Sequence, residues 1–541
     1  MPLFLPFVGA VLPLLITPGL FFHYETTPKL VALALAVALA LPRTNFGPLL
    51  SSRNGRLFVG LSVANIGWFA LATACSSRPM MSLLGSQWRE FGFAGFSILV
   101  AAGLVAAAQL AEHPERKVVL LRSIAVSGLI VSIYGIAQYF DLDPFQSSAA
   151  YHAFAGDDAI VRPPGTFGHA DYFAWWLAVE FFCALRLGGL LGGAAASLSA
   201  VAIVLTGTRA GILAVVAGLL VSRLRPRQML AGAAVVAALA AFAFTPPGAR
   251  LRHRIAWVGD EPIGGARPLL WRDSAKMAIA HPLFGTGPET FLASFGRYES
   301  EALAKLYPDF HHESPHNLAL DAATSAGLPA LFLLLGWALL AGATPAFVAS
   351  AVASLFSGAM LAPLLLTMLV IGLKTPASKP ETLNTAPARS SRRLVPWIAI
   401  PVTAFAILLG VSDFRLARFD RGGPYVRLPV AAEDIYCSRR LAATSLRTAI
   451  EAAARATTTA DDSANAWYNL AVFTAAAGDI AGTRRSLEEA ARQSPNWFKP
   501  HWTLARLLRQ TGDPSRARIE AERAVLLDAR HHSEVTEALN R

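Results

Sequence analysis

The amino-acid sequence predicts an all-α polytopic membrane protein of about twelve spanning helices, followed by a small helical-repeat domain. Three observations lead there. Of 541 residues, 54% are hydrophobic and only 15% charged, whereas soluble domains carry about 25% charged residues. The charge is also unevenly spread: Asp413 to Arg541 holds 35 Asp, Glu, Lys and Arg in 129 residues, about 27%, while the first 412 residues hold about 12%. A 34-residue period runs through the polar tail. The front three quarters therefore exclude a water-soluble globule, a disordered tail and a secreted disulfide scaffold. The net charge of +11 divides as +8 and +3, so neither part is a polybasic nucleic-acid tail. Cys75, Cys183 and Cys437 form no CxxC pair and indicate neither a zinc site nor a disulfide framework.

A helix crosses a bilayer with ~20 mostly apolar residues, because every backbone amide must be satisfied internally. Stretches of that kind are 3–22, 28–42, 56–75, 90–111, 118–140, 170–187, 188–207, 209–222, 228–245, 317–343, 344–372 and 395–412. The first lacks the basic region and cleavage site of a secretory signal and reads as a span that stays. The stretches 28–42 and 209–222 are short. The stretch 344–372 carries Ser357-Gly358 and Pro363, and is either one kinked helix or two short segments.

Lys and Arg in short loops set the orientation. Arg43, Arg53 and Arg56, then Arg116 and Lys117, then Arg223, Arg225 and Arg227 all follow even-numbered spans, so that side is cytoplasmic. The two long loops, 141–169 and 246–316, then face outward. The charged linker 373–394, with Lys374, Lys379, Arg389, Arg392 and Arg393, lies inside if 344–372 is two segments. That choice obeys the charge rule and puts the C-terminal domain outside, although Arg415, Arg418, Arg421 and Arg427 pull the other way.

In the tail, Ala464-Asn-Ala-Trp467-Tyr-Asn-Leu470-Ala471 is followed by Gly478-Asp479, Ala490 and Pro495. Thirty-four residues on come Leu504-Ala505, Gly512-Asp513, Ala517 and Ala524. Small residues recur where two helices of a hairpin approach closely, with Gly-Asp at the turn. This pattern resembles the tetratricopeptide (TPR) repeat, an α-solenoid unit, with repeats at about 464–497 and 498–531 inside a domain spanning 432–541. Two repeats fall short of the usual three, so a flanking helix or membrane packing is expected to cap the stack. Such a domain offers a concave surface for a protein partner, or serves only to pack on its own membrane domain.

Ionisable residues in or beside spans are costly and therefore informative. The outward side collects Arg162-Pro-Pro-Gly-Thr-Phe-Gly-His169-Ala-Asp171, Thr206-Gly-Thr-Arg209-Ala-Gly and Arg267-Pro-Leu-Leu-Trp271-Arg272. His281-Pro-Leu-Phe-Gly-Thr-Gly287-Pro-Glu289-Thr-Phe291 and His311-His312-Glu313-Ser-Pro-His316-Asn317 follow. Arginines and histidines at one membrane face suit a diphosphate with a lipid tail. Arg presents a planar donor fork that matches phosphate oxygens and never loses its charge, and a neutral His takes a proton near neutral pH. The HHxxxH spacing is not the HExxH of a helical zinc site, and no metal is assigned. Glu180 and Asp321, inside spans six and ten, are expected to face the bundle interior, and Trp175-Trp176 reads as an interfacial belt.

The order Gly165-Thr-Phe-Gly, Thr208-Arg209-Ala-Gly, Arg267-x-x-x-Trp271, Pro282-Leu-Phe-Gly-Thr-Gly-Pro-x-x-Phe291, His316-Asn317-x-x-Leu320 and Gly327-Leu328 resembles the O-antigen ligase/O-antigen polymerase superfamily. Those are C-type (GT-C-like) membrane glycosyltransferases with a large periplasmic loop, and the matched region runs from about 160 to 345. The resemblance implies metal- and cofactor-independent transfer of a glycan from an undecaprenyl-diphosphate donor at the outer face of a bacterial inner membrane. The acceptor hydroxyl belongs to lipid A-core in lipopolysaccharide, to a growing polysaccharide, or to a protein. It further implies that Arg209 and Arg267 hold the diphosphate and that His316 is the catalytic base; Arg272 and His169, at the same face, are further substrate-binding candidates, Arg272 reading also as an ordinary loop-helix charge. The chain departs from the family pattern at Ala210, at His169-Ala170-Asp171, and at Ser325 and Ala330. Arg209 alternatively anchors a helix end at the interface, Arg267 caps a loop helix, and His316 caps the tenth span. Two other classes stay open: a secondary transporter, for which no repeated halves are visible, and a membrane anchor whose TPR tail recruits a partner.

Overall fold

The computed structural model describes residues 3–86, 88–155, 158–260, 265–308, 311–374, 391–427 and 433–540. Most of the predicted linker 373–394, including Lys379 and Arg389, falls outside these residues. Apart from one antiparallel ladder, β1 (His152–Ala155) with β2 (Asp158–Val161), the regular elements described are helical. The principal ones begin with α1 (Phe4–Leu14), α2 (Thr27–Ala40), α3 (Arg53–Ala74), α4 (Phe93–Glu112) and α5 (Arg116–Tyr139). After the first long loop come α6 (Ala170–Leu187), α7 (Gly189–Leu205), α8 (Arg209–Leu220) and α9 (Pro226–Ala243). The second long loop carries α10 (Ala249–Asp260) and α11 (Arg267–Ala280), and α12 (Leu318–Ala341), α13 (Pro345–Ser354), α14 (Leu361–Gly372) and α15 (Ser391–Asp420) follow.

Among the described residues, six helices are long and apolar enough to cross a membrane: α3, α4, α5, α9, α12 and the Ile398–Asp420 part of α15. The apolar helices α1, α7, α8, α13 and α14 are shorter, at 10–17 residues. Local chemistry explains the difference from twelve full-length spans. Gly188 and Gly189 at positive φ, and Gly207 at φ 63°, end and restart the chain around α7, which only glycine does without strain. The stretch 344–372 is two short helices, α13 and α14, with 355–360 between them. The segment 170–187 carries Asp171, Glu180 and Arg186. Helix α9 buries none of its residues, as expected of an apolar helix whose solvent is lipid.

Helix α6 is the centre of the bundle, packed against α5, α7, α8, α13 and α14. Phe173, Trp175 and Trp176 on it are at most 1% exposed. The expected interfacial belt at Trp175-Trp176 is therefore a core pair, and Trp175 Nε1 donates to Ser350 Oγ on α13 at 2.9 Å. Glu180 on the same helix accepts from Ser199 Oγ on α7.

Helix α12 is broken at Ala326 (φ −136°) and Gly327 (φ 78°), ahead of Pro329. A break inside an apolar bundle frees carbonyls that must find donors. The segment Pro282–Gly287 supplies them: Thr286 N donates to Thr324 O at 2.9 Å and Gly287 N to Ser325 O at 3.0 Å. Trp68 Nε1 from α3 donates to Ala326 O at 2.8 Å, and Leu328 N in turn donates to Pro282 O at 2.8 Å. The Pro-Leu-Phe-Gly-Thr-Gly segment is thus a backbone staple over the kink.

After α15 the chain forms α16 (Asp434–Leu441), α17 (Leu446–Thr459), α18 (Ser463–Ala476), α19 (Ile480–Gln493), α20 (Phe498–Gln510), α21 (Pro514–Leu527) and α22 (Ser533–Asn540). The pairs α18–α19 and α20–α21 turn at Gly478 (φ 76°) and Gly512 (φ 84°). The following Asp479 and Asp513 cap α19 and α21 by accepting from Gly482 N and Arg516 N. This lobe docks on the second long loop and its surroundings. Arg78 donates to Thr457 O, Thr458 O, Ala460 O and Ser463 Oγ. His311 pairs with Asp462 at 2.7 Å and Arg523 with Glu301 at 3.2 Å.

Candidate functional site

Four chain segments distant in sequence meet at the N-terminal end of α6. Asp171, in the first turn of α6, pairs with Arg162 at 2.7 Å and with Arg267, the first residue of α11, at 3.6 Å. Thr208 Oγ1, at the residue preceding α8, donates to the same carboxylate at 3.3 Å. His169 caps α6, its Nδ1 accepting from Asp171 N at 3.2 Å. His316 contributes from the start of α12.

Each position has a local cause. Gly165 and Gly168 at positive φ turn the chain into α6, and the buried amine of Lys29 holds that loop by donating to Thr166 O at 2.6 Å. Gly207 at φ 63° sets the tight turn before Arg209, braced by Arg254 Nε donating to Gly207 O at 3.0 Å. Arg267 Nη2 also donates to Phe356 O at 3.4 Å, and its guanidinium lies over the Phe356 ring at 5.7 Å, a cation–π arrangement. Trp271, one turn on, donates to Pro315 O at 3.0 Å and so ties α11 to the segment that presents His316.

His316 sits at φ 48°, a left-handed backbone rare for a non-glycine residue. Asn317 follows it as the cap of α12, its Oδ1 accepting from Ala319 N and Leu320 N at 3.1 Å each. The cap fixes the helix start, and the left-handed residue before it sets where the imidazole goes. Burial, reinforced by the Arg267 charge and opposed by Asp171, lowers the His316 pKa to about 4. The imidazole is therefore neutral at neutral pH and has a nitrogen lone pair to offer.

Of the residues singled out from sequence, Arg267, His169 and His316 share the field of Asp171, and Arg209 lies one residue beyond the Thr208 contact. Arg272 is not brought to this group: its Nε pairs with Asp273 at 2.9 Å and its Nη2 donates to Ser300 Oγ at 2.6 Å. The histidines of His311–His316 diverge. His311 turns to Asp462, while His312 lies edge-on to Phe295 and Tyr307.

Two features escaped sequence reasoning. Asp171 stood among the outward-face ionisable residues with no role assigned to it, yet it is the carboxylate on which Arg162 and Arg267 converge. Arg89, in the loop before α4, is 3% exposed and pairs with Glu289 at 3.3 Å and Asp321 at 3.5 Å. Its signal was a Trp-Arg-Glu triplet at the lip of an apolar run. Glu289 and Asp321 in turn edge a cavity of about 250 Å³ between α3, α4, α6, α12, α13 and α14. Its other walls are mainly apolar, Trp175, Trp337 and Phe96 among them.

Fold and site together define a polytopic α-helical membrane protein with a basic, histidine-bearing polar cluster where two long loops meet the bundle. Within it, residues 194–335, about a quarter of the chain, match the model of the O-antigen ligase family. That segment carries Arg209, Arg267, Arg272 and His316, and leaves out His169 and Asp171. No curated protein and no solved structure matches the chain.

Proposed function

We propose that this protein transfers a glycan from an undecaprenyl-diphosphate donor to an acceptor hydroxyl at the outer face of a bacterial inner membrane. The observation that carries the reading is the convergence of Arg162, Arg267, Thr208 and the His316 field on Asp171 within and beside the O-antigen ligase match. Arg209 and Arg267 bind the diphosphate through their donor forks, and Asp171 aims Arg267. His316, neutral, removes the proton of the acceptor hydroxyl as its oxygen attacks the anomeric carbon. The bond from that carbon to the diphosphate breaks, and the arginines stabilise the negative charge left on the carrier. The proton on His316 then passes to water. The apolar cavity of about 250 Å³ beside Glu289 and Asp321 supports a place for part of the polyprenyl tail among the helices.

The short helices α1, α7, α8, α13 and α14 complete the crossing of the bilayer together with the long ones, and the C-terminal lobe is a two-repeat TPR domain. Its docking on the second long loop supports an outer, periplasmic placement of both. The acceptor, whether lipid A-core, growing polysaccharide or protein, is named by a knockout profiled for lipopolysaccharide, capsule and glycoproteins together: the class that disappears identifies it. Replacing His316 by Ala abolishes transfer while lipid-linked precursor accumulates and expression holds. Wild-type-like transfer in that variant overturns the assignment.

A further inference from the structure

Away from the Asp171 cluster, three residues from widely separated parts of the chain meet in the interior: His23 before α2, Glu90 before α4 and Asp413 on α15. One potential ligand atom from each lies within 4.8 Å of the others. Two ligands, each about 2.0–2.6 Å from a shared ion, lie at most about 4–5 Å apart. His23 Nδ1 is 2.8 Å from Asp413 Oδ1, and His23 Nε2 is 3.3 Å from Glu433 Oε1. Thr27 Oγ1 donates to Glu90 Oε1 at 2.7 Å. The other oxygen, Glu90 Oε2, is buried with no hydrogen-bond partner, on a residue 3% exposed beside a fully buried Asp413.

Three carboxylates therefore surround one imidazole. The carboxylates outnumber the imidazole in a setting where uncompensated charge is costly. The neighbouring guanidinium does not help, because Arg89 is engaged by Glu289 and Asp321. We infer that His23, Glu90 and Asp413 form a structural site for one divalent cation, with Glu433 beside it. The cation binds the orphan Glu90 oxygen, an Asp413 oxygen and an imidazole nitrogen freed of its proton. An imidazole among carboxylates favours a borderline ion such as Zn²⁺, and admits the harder Mn²⁺, over Mg²⁺ or Ca²⁺. Its role is to tie the segment before α2, the Arg89 loop and α15 to one point, apart from the Asp171 cluster where transfer is proposed.

The test uses the full-length protein in detergent, stripped with EDTA, equilibrated with Zn²⁺ or Mn²⁺ in turn, desalted and analysed for metal. Wild type and H316A are expected to retain about one ion per chain and to show a raised thermal midpoint with the metal. E90Q and D413N, accepted as folded when monodisperse on size exclusion, are expected to lose the ion and the shift. Monodisperse wild type that retains no ion overturns the inference, and so does equal metal content in wild type and both variants. Metal content is read without any glycan transfer, so the outcome is independent of the proposed activity.

Discussion

At the scale of single residues, Asp171 decides more than its size suggests. It accepts from Arg162 and Thr208, stands 3.6 Å from Arg267, and is the group that raises the His316 pKa against burial and neighbouring cations. Asp171→Asn keeps the shape and removes the charge. Arg162 then loses a charge-assisted hydrogen bond worth about 1.5–3 kcal/mol and Arg267 loses the charge that aims it, and kcat/KM is expected to fall about 10- to 100-fold. The pH profile supplies a second reading. A general base must be unprotonated, so activity falls as pH drops through its pKa, placed at about 4 for His316. Removing a carboxylate that raises this pKa moves the acid limb of the variant to lower pH, whereas Arg267→Ala, by removing a cation, moves it upward. Rates measured from pH 3 to 8 check both directions. Arg267 and His316, which stand in the field of Asp171, were visible as candidates because cationic and imidazole side chains at a membrane face are few. Asp171 was not, because one acid beside a helix start reads as a cap until the arginines are seen to converge on it.

At the scale of elements, the break in α12 and its staple set the geometry of the loop that carries the site. A Cβ on Gly327 would stand 1.9 Å from Leu283 O, and one on Gly285 2.4 Å from Thr324 O. Both residues also have positive φ, so any side chain adds backbone strain to the clash. Gly327→Ala is expected to cost about 2 kcal/mol or more and to lower the thermal midpoint of the detergent-solubilised protein. Gly67→Ala, on α3 with nothing within 4 Å of its Cβ, is the control and leaves stability unchanged or slightly raised. An unchanged midpoint in Gly327→Ala would mean that the staple does not hold the kink. Helical class and the Gly-Asp turns at 478 and 512 were readable from glycine and apolar run length, whereas Ser357-Gly358 and Pro363 left 344–372 open between one kinked helix and the two short ones found. The kink was not, because Gly327 and Pro329 inside an apolar run also fit a straight span, and the six residues that repair it lie forty positions upstream in a loop.

At the scale of the whole molecule, the two charge regimes of the sequence are joined by α15 and by side-chain contacts between distant segments. From Asp434 on the chain folds into paired helices, while charge in the apolar part gathers at the Asp171 cluster and the Arg89 pairings, and the His23 group joins the two regimes through Asp413 and Glu433. The shift in composition gave no sign of these contacts, since they join residues about 150 to 380 positions apart, as in His311 with Asp462 and Arg78 with Thr457. The docking has a pH dependence that follows from His311. Burial alone depresses its imidazole, but the Asp462 carboxylate at 2.7 Å, with Glu299 behind it and Lys499 opposing, reverses this and raises the pKa above its ordinary value. A group whose pKa is raised by an interaction stabilises that interaction at pH below its free value, about 6.5, and the contribution is lost as pH rises through the raised value. Docking of the lobe is therefore expected to be tightest on the acid side of neutrality and to loosen above it. Limited proteolysis between α15 and α18 across pH 6–9 reports it, with cleavage increasing as pH rises. In Asp462→Asn the imidazole loses its partner, its NMR titration midpoint falls, and cleavage no longer varies over that range. In Arg78→Ala four donor contacts are lost at once, cleavage is faster at every pH, and the His311 dependence persists on the raised baseline. Pairing the two variants separates a lobe held by one titrating bridge from a lobe held by several contacts, of which only one responds to protons.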